Sequence, residues 1–533
     1  MKRRRLVPIA LALMLVLASC GGPTATAGTI QVTIRADGGS HIQSVPAGST
    51  VRQALQSARV ELGELDRVDP PGYTVVTDGT RISVTRVSER FEIEQVVVPF
   101  DRQTLKNESL PSGETRLIQA GVNGMEEITY RIVEEEGVEV SRNPVKRQII
   151  DEPQPEIVMI GTQASYTPLQ IEGKLAYLSG GNAWLMESNT GNRRPLVVTG
   201  DLDGRIFHLS PEGRWLLFSR KISDASEADN INSLWMISTT DPEAEPIDLD
   251  VHNVVHFADW APSSDPLMLA YSTVEPSPAA PGWQANNDLQ LMVFSSNGRA
   301  IRNTTLIGVN AGGQYGWWGT DYRWAADSVH LAFSRAEGVG QIDIRQPELT
   351  MTHQEVPFQT LGDWAWVPGV TWGRDNRTLY VVDHGAPLGI ESPAASPVFN
   401  LVVIPADGGP ALTMAERTGM FSLPTASPTD VLDSGEIAYS VAYYQATSPL
   451  DSRDSSYRLM LIDRDGSNRR ALFPADGQPG LKGDDLQHPP AWSPDGTRLA
   501  VLYQGNLWLI DRTTAQGQQL TGDGQARAYD WKP

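Results

Sequence analysis

Through the last two-thirds of the chain, apolar runs of five or six residues alternate with polar turns at a spacing of roughly 40 residues. The clearest copy reads Pro490-Ala491-Trp492-Ser493-Pro494-Asp495-Gly496, followed by apolar runs at 498–503 and 506–511 and a Gln-rich stretch closing on Leu520-Thr521. Aligning the copies gives three strand classes. First strands end at 209–211, 260–262, 324–326, 372–374, 426–428, 492–494 and 531–533. Second strands follow at 174–178, 214–219, 267–272, 329–334, 378–383, 436–443 and 498–503, and third strands at 183–187, 234–238, 289–294, 340–344, 401–404, 458–463 and 507–511. Each class has seven members, and short four-stranded repeats of this length predict a seven-bladed β-propeller over 173–533. The region opens at Lys174 in mid-repeat, whereas 528–533 repeats only the opening strand. Joined, the fragments complete one blade and satisfy strand edges that would otherwise template aggregation.

Ahead of the repeats the pattern changes. Residues Ile30, Val32 and Ile34 alternate as in a half-buried strand, and a second strand is expected at 41–45 after the Asp37-Gly38-Gly39 turn. Ser49-Thr50 precedes Val51, Leu55, Ala58 and Leu62, a helical spacing with a capping hydroxyl in front. Strands at 73–76 and 81–87 follow, so 29–87 reads as a small α+β module, with Asp66 and Asp69 as solvated turn carboxylates. Residues 88–162 have no helical period, alternating runs at 91–98, 115–119, 126–134 and 145–150, and five glycines at 113, 121, 124, 137 and 161. The first module resembles the ubiquitin-like (β-grasp) module that precedes G5 domains, and the second, on its five glycines and Ile160-Gly161-Thr162, resembles the G5 domain itself. That resemblance implies a thin, extended β domain serving as a spacer or as a contact for N-acetylglucosamine-containing glycan. Residues 163–172, with Pro168, read as a linker.

The N-terminus carries Lys2-Arg3-Arg4-Arg5, then a 13-residue apolar stretch at 6–18, too short to span a bilayer comfortably and suited to a signal peptide over 1–19. It ends in Leu17-Ala18-Ser19-Cys20, and Cys20 is the sole cysteine of the chain. The tetrapeptide resembles a bacterial lipobox, which implies lipidation of Cys20, a tether over 20–28 and an extracytoplasmic, membrane-anchored lipoprotein at the cell surface or in the periplasm. Two or three acyl chains anchor durably where one does not. With 43 basic against 64 acidic side chains and a net charge of -21, the chain is unsuited to a nucleic-acid surface.

The Ser-Pro-Asp-Gly turns resemble the TolB-type, WD40-like (PD40) repeat of bacterial periplasmic proteins. Nine of the 14 tryptophans fall on strands and are expected in the core. The other five, Trp283, Trp317, Trp318, Trp364 and Trp366, fall in connections that leave one face of a propeller, together with Tyr315 and long insertions at 222–232, 273–288, 385–399 and 445–457. These six aromatics are the candidate ligand-binding residues. No nucleophile elbow, zinc-protease, phosphate-loop or dinucleotide motif occurs, and His252 and His256, four apart in a β setting, read as polar loop or interstrand groups. No cofactor and no metal site are expected. The sequence thus favours a monomeric, mainly β, non-catalytic scaffold lipoprotein that binds an envelope protein or glycan. Its rival is a propeller-based glycan hydrolase or lyase using carboxylates in the central depression.

Overall fold

The computed structural model describes residues 28–107, 110, 113–161, 167–222, 230–428, 436–442 and 449–533. Cys20 and the expected signal peptide lie outside them. The chain divides into two compact units, residues 1–105 with 116–159, and residues 106–115 with 160–533.

In the first unit, Thr29–Ala36 pairs with Gly39–Pro46 in antiparallel fashion and with Arg81–Thr85 in parallel, giving the mixed sheet expected of a β-grasp module. The helix Val51–Ser57 starts with a capping box, in which Thr50 and Gln53 satisfy each other's backbone N–H groups, and buries Val51, Ala54 and Leu55 against Val32, Ile34, Ile82 and Val84. It is shorter than the apolar spacing implied. Arg59 takes a positive φ of 57° just past its end, so Leu62 lies beyond the helix and is 41% exposed. The third strand is Arg67–Asp69, not 73–76: Pro70-Pro71-Gly72 turns the chain immediately afterwards, and Val75 makes only an isolated bridge to Thr50. Asp66 is also no free turn carboxylate. It accepts the N–H groups of Gly63 and Val87 at 2.9 and 3.0 Å and pairs with Arg86 at 2.6 Å.

The long strands Val87–Val98, Gly124–Glu135 and Val138–Asp151 then form a three-stranded antiparallel sheet. It has little core: Ile128 and Ile132 are buried, while Phe91, Ile93, Val97 and Val140 stay more than half exposed. The run Glu134-Glu135-Glu136 sits at its hairpin end, where Glu135 pairs with Arg67 at 2.6 Å and Glu134 with Arg90 at 3.0 Å.

The second unit is mainly β. Seven antiparallel sheets follow one another along the chain among the described residues, six of them four-stranded in simple sequence order. The first sheet takes Gln170–Ser179 and Asn182–Val197 from the start of the unit and Ala526–Lys532 from its end, with Leu175 opposite Trp531 and Tyr177 opposite Tyr529. The sheet at Thr425–Ala426, whose first strand, like Leu202–Leu209, has no tryptophan, also has all four strands.

First strands of neighbouring sheets pack on one another. Ala526–Lys532 meets Leu202–Leu209, which meets Ala258–Trp260, and the series continues through Asp321–Trp324, Val370–Trp372 and Thr425–Ala426. At the other end Ala526–Lys532 also meets Ala491–Trp492. One hydrogen bond recurs at these junctions. The buried indole N–H groups of Trp260, Trp324, Trp372 and Trp492 donate to backbone carbonyls of the preceding sheet, at His208, Asp259, Arg323 and Thr425, over 3.0–3.3 Å. Each tryptophan thus fills the gap between sheets with its ring and satisfies its polar atom across it, which explains the choice of residue.

The turn motif has an equally local cause. In Ser493-Pro494-Asp495-Gly496, the Ser493 hydroxyl accepts the N–H groups of Thr497 and Arg498 at 3.1 and 2.9 Å, while Asp495 accepts from Thr497 at 3.0 Å. Where the Ser-Pro pair is missing, the aspartate alone caps the hairpin: Asp327 accepts from Val329 and His330, and Asp375 from Arg377 and Thr378. The tightest second-to-third-strand turns have a further constraint. Gly505 has φ +71° and an added Cβ would lie 2.5 Å from the Gly524 carbonyl oxygen; Gly181 stands in the same relation to Gly200 at 2.4 Å.

Candidate functional site

The insertion between Met268–Tyr271 and Leu289–Phe294 folds back as a small hairpin, Val274–Pro276 against Trp283–Ala285. Asp288 fixes its base by accepting the backbone N–H and hydroxyl of Thr273 at 2.8 and 2.9 Å. Asn287 ties it to the connection after the third sheet, donating to the Gly316 carbonyl at 2.7 Å and accepting from Thr320 at 2.8 Å. In that connection the N–H of Trp318 donates to the Tyr315 carbonyl at 2.9 Å, and the Ala285 N–H donates to the Trp317 carbonyl at 3.1 Å.

These tethers gather four of the expected residues. The Trp283 indole N–H donates to the Trp318 carbonyl at 3.0 Å, and the two rings lie 5.5 Å apart. Trp317 stands edge-on to Trp318 at 5.9 Å, and Tyr315 is half-buried on the same turn. The guanidinium of Arg205 lies 5.3 Å from the centre of the Trp283 ring, within reach of a cation–π attraction. The imidazole of His256 completes a triangle with Trp283 and Trp318, at 5.7 and 5.9 Å. Burial drives its pKa down to about 4, only partly opposed by Asp321, and its Nε2 has neither solvent nor a hydrogen-bond partner. His256 is therefore a neutral aromatic wall of the cluster, a role its spacing from His252 did not reveal.

Trp364 and Trp366 belong to a second group, at the junction of the fourth and fifth sheets. Among the described residues no ring contact joins it to the first group. Trp366 is 3% exposed, donates to the Met420 carbonyl at 3.0 Å and meets Phe399 at 5.0 Å. Its ring faces the core, so among the six candidates it has no surface for a ligand. Trp364 is half-buried, 6.3 Å from Phe358, with the Arg453 guanidinium 4.8 Å from its ring centre.

The same junction holds a cluster for which the sequence suggested no role. His353 is the penultimate residue of the fourth sheet's last strand, Gln346–Gln354, Glu355 follows that strand, and Asp383 lies on the fifth sheet's second strand, Thr378–His384. One ligating atom from each lies within 4.8 Å of the others. His353 Nε2 is 3.5 Å from Asp383 Oδ1, and the His384 N–H donates to Glu355 Oε2 at 3.1 Å. Burial first, and the Asp383 charge second, push Glu355 well above the usual carboxylate range. The only linear trace of this group is His353-x-Glu355, with Asp383 almost 30 residues away and joined to it solely by sheet stacking.

On the first strands, Asp259, Asp321 and Asp530 each have a basic nitrogen within 4.0 Å, from His208, Arg323 and Lys532 respectively. No helix among the described residues is long and apolar enough to cross a membrane.

Comparison with known proteins places the first unit. Resuscitation-promoting factor RpfB of Mycolicibacterium smegmatis is 27% identical over 166 residues, which are 30% of this chain and 45% of that protein. Resuscitation-promoting factor Rpf2 of Corynebacterium glutamicum is 25% identical over 156 residues, 29% of this chain and 41% of its own length. The chain thus spans less than half the length of the curated relatives it matches. A structure from a study of two prolyl endopeptidases is similar at 12% identity and a TM-score of 0.45, over 68% of this chain and 50% of that one. Residues 32–72 match the G5-linked ubiquitin-like domain and residues 89–163 the G5 domain, and the chain carries both.

Proposed function

We propose that this protein is an envelope-associated, non-catalytic binding lipoprotein. Cys20 anchors it, the ubiquitin-like and G5 domains hold it out from the membrane or against wall glycan, and a seven-bladed propeller presents a ligand site. Support for a closed ring comes from Ala526–Lys532. Asp530 accepts the Leu209 N–H at 2.8 Å on the second sheet, and the Tyr529 hydroxyl donates to the Pro489 carbonyl at 3.0 Å ahead of the last. Extracytoplasmic placement agrees with the G5 pairing and with the similarity to two resuscitation-promoting factors.

The observation that carries the binding role is the half-buried aromatic group of Trp283, Tyr315, Trp317 and Trp318, held on insertions that the tight-turned first and seventh sheets do not have. Flat indoles on fixed loops suit stacking on a sugar ring or anchoring of a protein partner.

The test is titration with N-acetylglucosamine oligomers and wall fragments, beside a pull-down from envelope extract, for the parent, Trp317→Ala and Trp364→Ala. Loss of binding with an unchanged melting temperature is expected. Destabilisation of both variants with binding intact would refute the assignment.

A further inference from the structure

We propose that His353, Glu355 and Asp383 form a binding site for a divalent transition-metal cation of the Zn2+ class, which bridges the fourth and fifth sheets. The donor set is one imidazole nitrogen and two carboxylates, a combination suited to Zn2+ or Mn2+ and unlike the all-oxygen shells of Ca2+ and Mg2+. The two carboxylates balance a dication. The 3.5 Å between His353 Nε2 and Asp383 Oδ1 is close to the edge of about 3.4 Å in a tetrahedron with bonds near 2.1 Å.

Two independent features point at a missing ligand. Glu355 Oε1 and His353 Nε2 are both shut off from solvent, and neither has a hydrogen-bond partner. Orphaned buried polar atoms of this kind are rare in a folded protein and ask for a cause. Glu355 is also oriented as a metal ligand would be: its Oε2 is occupied by the His384 N–H at 3.1 Å, which leaves Oε1 as the free donor.

The side chains of His353 and Asp383 remain 20% and 23% exposed, so the cluster borders solvent although its two orphaned atoms do not face it, and loading requires a small opening at this edge. The cation's remaining coordination positions would take water or an oxygen donor of a ligand. The backbone already fixes the frame. Val339 pairs with His353, the Glu355 N–H donates to the Glu337 carbonyl at 2.8 Å, and Asp383 pairs with Asn400 inside the fifth sheet. The three donors therefore sit on rigid strand ends, as a preformed site requires.

The untagged full chain, stripped with chelator, should take up one equivalent of Zn2+ by elemental analysis and calorimetry, and its melting temperature should rise on loading. Mn2+ should compete. His353→Ala and Asp383→Asn should each weaken uptake at least about tenfold and abolish the thermal shift. Glu355→Gln, which keeps the shape and an acceptor for His384, serves as the fold-preserving control and should also lose affinity. No stoichiometric uptake by the parent, or undiminished uptake by Glu355→Gln and the His353→Ala/Asp383→Asn double variant, would overturn the site.

Discussion

Deleting residues 526–533 is the sharpest test of how the second unit is held together. The segment buries Ala526, Ala528, Tyr529 and Trp531, all at 6% exposure or less. Truncating one buried aromatic to alanine costs about 3–5 kcal/mol, and two are lost here. Three hydrogen bonds go with them: Trp531 to the Glu172 carbonyl at 2.8 Å, Tyr529 to Pro489 at 3.0 Å and Leu209 to Asp530 at 2.8 Å. At about 1 kcal/mol each, the total is about 10 kcal/mol, comparable to the whole stability of an ordinary domain at about 5–15 kcal/mol. The deletion would also bare the edge of Gln170–Ser179, an invitation to pair with another chain. Loss of the cooperative transition in near-UV circular dichroism, with oligomers in light scattering, is the expected result. Trp531→Phe refines the test, since it keeps most of the ring and removes only the donor. It should cost about 1–2 kcal/mol, as Trp260→Phe should, although the Trp531 acceptor lies on Gln170–Ser179 of the same sheet and not on the preceding one. A monomeric deletion product melting at the parent temperature would refute the argument.

Two further perturbations probe single residues. His256 is neutral in the folded chain, with a pKa of about 4 against an ordinary 6.5. Between those values the unfolded chain binds the extra proton, so the stability contribution is complete above about pH 6.5 and is lost as pH falls towards 4, by up to roughly 3 kcal/mol. In His256→Phe this component should vanish, so acidification should lower the stability of the parent relative to the variant; a pH-independent difference would exclude it. Gly505→Ala meets both a positive φ and the Gly524 carbonyl and should lose at least about 1–2 kcal/mol. Gly524→Ala, with φ +68° and open space around its Cβ, should be milder. Equal melting temperatures for the two would count against the close approach.

The strand pattern was legible because its causes are local. An alternating run declares a strand, a Ser or Asp at a turn declares its hairpin, and a first-strand tryptophan, where there is one, declares the gap it fills. The register therefore survived even at Trp324 and Trp372, where the Ser-Pro pair is replaced and one aspartate does the capping. The N-terminal module was read less well at 73–76, since Val76 is buried there without being part of any strand, and burial alone does not make a strand. The candidate site divides in the same way. Loop tryptophans could be counted in the sequence, yet only packing separates half-buried Trp364 from Trp366, two residues later and fully inside. His353, Glu355 and Asp383 left almost no trace, because they meet by the stacking of one sheet on the next, a relation that no linear spacing encodes.

That stacking also explains why both groups of candidates flank one sheet. The fourth sheet turns from His330–Arg335 to Gly338–Asp343 through only Ala336 and Glu337, whereas the third and fifth sheets carry long insertions at the same point. This short turn is hydrogen-bonded to the connections on both sides. Arg335 donates to Asn310 and Thr320 at 3.0 Å, on the connection that bears Trp317 and Trp318, and the Glu337 carbonyl accepts the Glu355 N–H at 2.8 Å, beside the acidic cluster and ahead of Trp364. The aromatic group and the acidic cluster are thus both tied to this one short turn.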